Sequence, residues 1–258
     1  MKIAIISDVH ANLEALQAFI RQKDRFGWEK IYCLGDVVGY GPNPNECIEL
    51  LQEHQIKCVL GNHDAMVTES LATSRASLVA REGIAWTQAN LNENSIAYLK
   101  ALPRIVRDGE LLFVHASIYS LEEYIRTQHR AFLELKGIRS KWPQVRIAFH
   151  GHTHQPALYD LNGASAPVLL NTPELVADGK EHTYLVNPGA IGQSRGPHPW
   201  AFFALYDRAT ARLSLEHVEY DYKTTAEKMA REGLRAPLYR TPMMRFKKKV
   251  RKLIAHIR

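Results

Sequence analysis

Ile3-Ala4-Ile5-Ile6-Ser7-Asp8-Val9-His10 opens the chain with an apolar run that breaks abruptly into polar residues. The pattern recurs four times. Gly35-Asp36 follows Ile31-Tyr32-Cys33-Leu34, and Gly61-Asn62-His63-Asp64 follows Cys58-Val59-Leu60. His115 follows Leu111-Leu112-Phe113-Val114, and Gly151-His152-Thr153-His154 follows Ile147-Ala148-Phe149. Short apolar runs bounded by Gly and polar residues predict buried strands. In open α/β sheets, ligands gather beyond the carboxyl ends of strands, so all five stretches are expected to face one crevice.

The side chains gathered this way are Asp8, His10, Asp36, Asn62, His115, His152 and His154, with His63 as an extra imidazole. They are oxygen and imidazole donors without a thiolate. Such a set suits Mn, Fe, Co, Ni or Zn in an open site and argues against a structural zinc knot. Seven donors exceed the needs of one ion and are about right for two divalent metal ions sharing a carboxylate. A lone Asp-x-His or His-x-His is weak as a signal, whereas the ordered set, each member after its own strand, is specific.

These ordered blocks resemble the calcineurin-like metallophosphoesterases, and most closely the small bacterial and archaeal phosphodiesterase-like branch. Gly35-Asp36-Val37-Val38-Gly39-Tyr40-Gly41-Pro42-Asn43-Pro44-Asn45, Trp86-Thr87 and Asn187-Pro188-Gly189 are similar to that branch too, and the likeness spans roughly residues 1 to 235. It implies a four-layer α/β/β/α sandwich of two mixed β-sheets flanked by helices. It also implies that Asp8, His10 and His154 hold one metal, that Asn62, His115 and His152 hold the other, and that Asp36 bridges them. The implied reaction is in-line attack on phosphorus by a metal-bridging hydroxide, with Mn the metal of choice for assay.

By the same resemblance His63 is catalytic, meeting the phosphate or protonating the leaving alkoxide, and Asp64 holds it in orientation. The alternative for Asp64 is a cap on the helix that begins there. Asn62, His63 and Arg195 are the substrate-binding candidates, Arg195 being as well explained as a rim residue. Ser/Thr protein phosphatases of this fold carry Asp-Arg after the Gly-Asp block and Glu after Asn-His. Here those positions are Gly39-Tyr40 and Asp64. Purple acid phosphatases need Tyr three residues after the bridging Asp, where Gly39 stands. A phosphodiesterase is the expectation. The alternatives are a phosphomonoesterase acting on nucleotides, or a non-catalytic metal-binding scaffold such as a subunit of the retromer coat.

At 258 residues, 46% hydrophobic and 23% charged, the chain has the composition of an ordinary globular protein with a sizeable core. Met1-Lys2 leads straight into a strand and no apolar run reaches the length of a membrane span, so a cytoplasmic enzyme is expected. Cys33, Cys47 and Cys58 form no metal-type spacing and are expected as buried thiols. The formal charge of +6 belongs to one end. Residues 245–258 carry seven Lys/Arg and no acid, which leaves −1 for residues 1–244. The expected division is a catalytic domain over residues 1–222 and a C-terminal helical extension over 223–258. Its basic tail, with Phe246, Val250, Leu253, Ile254 and Ile257 on one helical face, is expected to pack on its own domain or a partner subunit. Nucleic acid or an anionic membrane is the less favoured contact.

Local patterning predicts a helix from Asn12 to about Phe26, a second opened by Pro42-Asn43-Pro44, and two more between Ser74 and Leu102 that turn Leu78 and Trp86 inward. Asp108-Gly109 predicts a hairpin. Residues 119–136 read as loop or broken helix near the crevice. Further strands are expected at 145–149, 157–160, 167–170, 182–186, 201–206 and 212–219.

Overall fold

The computed structural model describes residues 1–162, 168–169, 174–177 and 182–239. The basic tail and its proposed contacts lie outside the described residues. The chain runs β1 (Lys2–Ile6), α1 (Leu13–Ile20), α2 (Lys23–Phe26), β2 (Lys30–Cys33), α3 (Pro44–Glu53), β3 (Lys57–Cys58) and α4 (Asn62–Val67). Then come α5 (Leu78–Asn90), α6 (Glu93–Lys100), β4 (Ile105–Asp108), β5 (Leu111–Val114), α7 (Gln128–Lys141) and β6 (Ile147–Phe149). The remainder is β7 (Ala157–Asn162), β8 (Val168–Leu169), β9 (Glu174–Val176), β10 (His182–Asn187), β11 (Trp200–Asp207), β12 (Arg212–Glu219) and α8 (Tyr222–Arg231).

The strands make two mixed six-stranded sheets, ordered β3-β2-β1-β11-β12-β9 and β4-β5-β6-β10-β7-β8. In the first, β1, β2 and β3 are parallel, and β11 closes antiparallel on β1 with Ile3 opposite Tyr206. In the second, β5, β6 and β10 run parallel. Side chains alternate across a strand, and β1 shows what this does. Ile3 and Ile5 enter a core with Tyr32, Phe113, Phe149 and Val186 between the two sheets. Ala4 and Ile6 point the other way, onto Leu16 and Phe19 of α1 and Ile48 and Leu51 of α3. The far face of the second sheet packs Leu112, Val114 and Leu185 on Ala131, Leu135 and Ile138 of α7. Two mixed β-sheets flanked by helices, an α/β architecture, are thus laid out as the sequence predicts.

Local differences have local causes. The helix expected over 12–26 is two pieces, because Gln22 bonds back to the Phe19 carbonyl in a turn and the second piece ends at Gly27 in the left-handed region. The expected loop around 119–136 straightens at Thr127, whose side chain caps α7 by accepting from Arg130 N, and the helix runs to Lys141. Leu78 is 63% exposed rather than inward, since it starts α5 just after the Ser77 cap, and Trp86 is half-buried. β9 was not anticipated; it pairs with β12 at the sheet edge. All three cysteines are free and buried. Helix α8 lies on α1, where Thr225 reaches Glu14 and Asn12 and Lys228 pairs with Glu14. Among the described residues no helix is long and apolar enough to cross a membrane.

Candidate metal centre

Every polar stretch singled out above sits where its strand ends, and the ends converge. Asp8 N donates to Gly35 O at 3.0 Å, His10 N to Asp36 O at 2.9 Å, and Gly151 N to His115 O at 2.7 Å, so the loops are stitched to one another by backbone bonds. The approach is close enough that a Cβ on Gly61 would fall 2.0 Å from Asp36 N and 2.3 Å from its Oδ1. Five donor residues, Asp8, His10, Asp36, His152 and His154, hold positive φ between 48° and 62°. Non-glycine residues rarely adopt this region, at a cost of about 1–3 kcal/mol each, and such strain concentrates at functional sites.

The geometry divides the polar atoms into those that anchor and those that face inward. Asp8 Oδ2 accepts from Ser7 Oγ at 2.6 Å and His152 N at 3.0 Å. Asp36 Oδ1 accepts from His63 N at 2.8 Å. Their other oxygens, Asp8 Oδ1 and Asp36 Oδ2, are buried and bond to nothing. The imidazoles are arranged likewise. Nδ1 of His10, His115 and His154 meets the carbonyls of Val38, Leu34 and Gln193 at 3.2, 2.7 and 2.7 Å. A carbonyl only accepts, so each Nδ1 carries the hydrogen and each Nε2 turns toward the carboxylates. Nε2 of His10 and His154 lie 3.3 Å apart, and His154 Nε2 is 3.3 Å from Asp8 Oδ1. His115 Nε2 is 3.4 Å from Asp36 Oδ2 and 2.9 Å from Asn62 Oδ1. His152 Nε2 is buried and unpaired.

Donor atoms of Asp8, His10, Asp36 and His154 lie within 4.8 Å of one another, as do those of Asp36, His115 and His152. Asp36 belongs to both groups. Burial raises Asp8 to about 7, against the pull of His115, and lowers His10 to about 3 and His152 to about 2. Burial would raise Asp36 as well, but the imidazoles of His115, His63 and His10 outweigh it and hold Asp36 well below the carboxylate range. His115 is the counterpart: burial disfavours its charge, yet Asp36 carries it up to about 9. Buried carboxylate oxygens crowded by imidazole nitrogens are costly in a protein alone and become ligands once a cation lies between them. The residues fit divalent metal, with oxygen and nitrogen donors only.

Asp36, Asn62, His152 and His154 line a cleft of about 550 Å³, with His63 and Arg195 beside them. His63 is buried, its Nδ1 without a partner, packed by the rings of His10 and Tyr40 at 4.8 and 4.6 Å. Burial pushes its proton affinity down. Asp64 does not reach it. Its carboxylate accepts from Val38 N at 3.1 Å and Gly61 N at 3.0 Å, which caps α4 and ties it to the loop after Asp36. The capping alternative describes this side chain, and the orienting role does not: a residue at the third helical position points back at its own helix start. Arg195 is half-buried, and its charge acts on Asp8, His10, His63, His152 and His154.

Several cleft residues were not singled out from sequence. Tyr124 stacks on His152 at 4.0 Å, Arg126 lies over Tyr124 at 4.0 Å, and Tyr40 meets His10 edge-on at 4.7 Å. Tyr124 and Arg126 stand in the loop expected near the crevice, whose lack of periodicity gave no means of picking out these two side chains. Asn187, named in the Asn187-Pro188-Gly189 stretch but given no role there, proves to shape the site. It donates to Gly151 O at 2.7 Å and Thr153 Oγ1 at 3.0 Å, fixing the turn that presents His152 and His154. Four other histidines stand aside: His150 is buried beside Asn187, His182 bonds Asp160, and His198 and His217 stack on Trp200.

Comparison with known proteins agrees with this arrangement. The family model for the calcineurin-like phosphoesterase superfamily domain matches residues 1–210, and the chain belongs to that family. A metallophosphoesterase from Sphaerobacter thermophilus, solved by crystallography, is similar to it at 35% identity, 91% coverage of this chain, 95% of that chain and a TM-score of 0.78. An uncharacterized protein from Methanocaldococcus jannaschii is 32% identical over 238 residues, 90% of this chain and 93% of its own. A hypothetical protein from Pyrococcus horikoshii shares the fold at a TM-score of 0.74 and 19% identity, with 92% and 95% of the two chains covered.

Proposed function

We propose that this protein is a metal-dependent phosphodiesterase that uses two divalent ions, with Asp8, His10 and His154 toward one, Asn62, His115 and His152 toward the other, and Asp36 shared. The observation that carries the reading is the double membership of Asp36, whose inward oxygen lies 3.7 Å from His10 Nε2 and 3.4 Å from His115 Nε2. A carboxylate can serve two cations, whereas an imidazole serves one. When bound, a pair of such ions neutralises the charge on a phosphoester and activates water for in-line displacement at phosphorus.

The chain's own groups supply the rest. Asp36 Oδ1 is held by His63 N, so the shared carboxylate and the imidazole are positioned by one hydrogen bond. His63 is neutral in the free protein because it is buried. A phosphoester anion beside it opposes that burial and returns a proton to the ring, which can then be given to the leaving oxygen. Arg195 reaches the same space and pairs with a non-bridging phosphate oxygen. Tyr40, Tyr124 and Met66 narrow the cleft around an organic leaving group. The same cleft could take a phosphomonoester of a nucleotide, which is the second reading.

The deciding experiment is hydrolysis of a phosphodiester and a phosphomonoester by metal-stripped protein with Mn restored, for the native chain and His63→Ala. Metal-dependent diester cleavage that the variant loses, at undiminished metal content, supports the proposal. Preference for the monoester replaces it with a phosphatase. Two bound metals without turnover of either ester would leave a metal-binding scaffold.

A further inference from the structure

The substrate of this centre can be narrowed, on the footing of the phosphoesterase reading above. Three arginines line the cleft, Arg75, Arg126 and Arg195, and the guanidiniums of the last two lie against the ring of Tyr124, at 4.0 and 5.7 Å. They differ in reach. Arg195 is among the leading charges acting on five residues of the centre, whereas the leading charges on Arg126 are those of Arg195 and Tyr124. With His152 stacked at 4.0 Å on the Tyr124 ring, Arg126 stands one ring further from the centre.

Among the described residues Arg126 forms no ion pair with a carboxylate, and the nearby Glu123 is engaged by Arg130 and Ser117. Glu122 lines the cleft as well, without an ion pair to Arg126. The loop that carries Tyr124 and Arg126 is fixed in place. Ser117 donates to Glu123 at 2.9 Å, and Ile118 N donates to the buried Glu134 of α7 at 2.7 Å. Burial and the neighbouring Arg195 both work against the charge on Arg126. An anion bound at each of two such guanidiniums offsets their mutual repulsion and gains charge-assisted hydrogen bonds.

We infer that Arg126, seated on Tyr124 beside Arg195, recognises a second anionic group of the substrate, separate from the phosphoester at the metal donors. The substrate class is then a phosphoester carrying a further phosphate, such as a nucleotide esterified at one position and phosphorylated at another. Arg195 serves the reacting phosphate and Arg126 the distal one. The wall of Met66, Val79 and Pro237 is left for the uncharged part between them.

The test compares thymidine 5′-phosphate with thymidine 3′,5′-bisphosphate by calorimetric titration of the metal-stripped protein. It is joined by turnover of the 5′-p-nitrophenyl esters of the same two nucleotides with Mn. The native chain should favour the bisphosphate and its ester by about tenfold or more, equivalent to ~1.4 kcal/mol. Arg126→Met should bring both ratios to within about twofold, and Arg126→Lys should keep an intermediate preference, because a cation remains but the planar group seated on Tyr124 is lost. A native chain indifferent to the 3′-phosphate, or an Arg126→Met chain that keeps the preference, overturns the inference. Ester turnover with no dependence on Arg126 defeats this subsite alone. An Arg126-dependent binding preference without turnover of either ester leaves the subsite standing and defeats the phosphoesterase reading.

Discussion

Gly39 is the floor against which the His63 imidazole rests: a Cβ at residue 39 would lie 2.4 Å from His63 Nδ1 and 3.2 Å from its Cγ. Gly39 also has φ of +85°, so its backbone and its missing side chain are both required by the same turn. The sequence read Gly39 as a departure from relatives that place a larger residue there. In the structure it is the space that His63 occupies.

Gly39→Ala should therefore behave as a displaced His63 with its metal donors intact. Turnover should fall by about 100-fold or more, toward the roughly 10²–10⁴-fold worth of a positioned acid–base group, with metal content unchanged. Backbone strain alone costs about 1–2 kcal/mol, and Gly27→Ala separates the two effects. Gly27 has φ of +70° and nothing within 4 Å of an added Cβ. Its variant should lose similar stability and no activity. Equal activity loss in both variants would remove the claim on His63.

Asp36 predicts how the centre responds to metal removal. Stripping leaves Asp8 Oδ1 and Asp36 Oδ2 buried without partners, a standing cost in the apo protein. Restoring Mn at about 100 times the dissociation constant of each site should stabilise the fold by ~2.7 kcal/mol per ion, a rise in melting temperature of roughly 5–10 °C per ion for a domain of this size. Asp36→Asn should abolish the rise and bind no more than traces of Mn by elemental analysis, while Asp8→Asn should keep one ion. Two ions in Asp36→Asn would disprove the sharing.

The strand-end blocks were legible because each is local: an apolar run, a glycine and a donor in consecutive residues. The two-sheet layering followed from the same runs. What closes the first sheet was not legible, since β1 finds β11 some two hundred residues later through the Ile3–Tyr206 register. The resemblance implied that Asp64 orients His63. The helix that starts at Asn62 turns the Asp64 carboxylate to the amides of Gly61 and Val38 instead. Tyr124 and Arg126 were invisible for another reason. An irregular loop has no period to read, and their place against His152 depends on Glu123 and Glu134 anchoring that loop.

Glu134 gives a test of this anchoring that does not involve the metal donors. It is only 3% exposed, and its Oε1 accepts from Ile118 N at 2.7 Å. Burial raises it from 4.5 to about 7, with the Ile118 N–H and then Lys141 and Arg130 pulling the other way. A raised folded pKa means that the native state holds the proton more tightly than the unfolded chain. The stabilisation is full below about pH 4.5 and is lost as pH rises through about 7. Glu134→Gln keeps an acceptor for Ile118 N and cannot ionise. Its melting temperature, relative to the native chain, should climb between about pH 5 and pH 8 and level off above. Subtracting the two chains cancels every other titrating group, so the trend belongs to residue 134. If the native chain instead gained on the variant with rising pH, the Ile118 N–H and the cations would outweigh burial, and Glu134 would anchor the Tyr124 loop as a charged group.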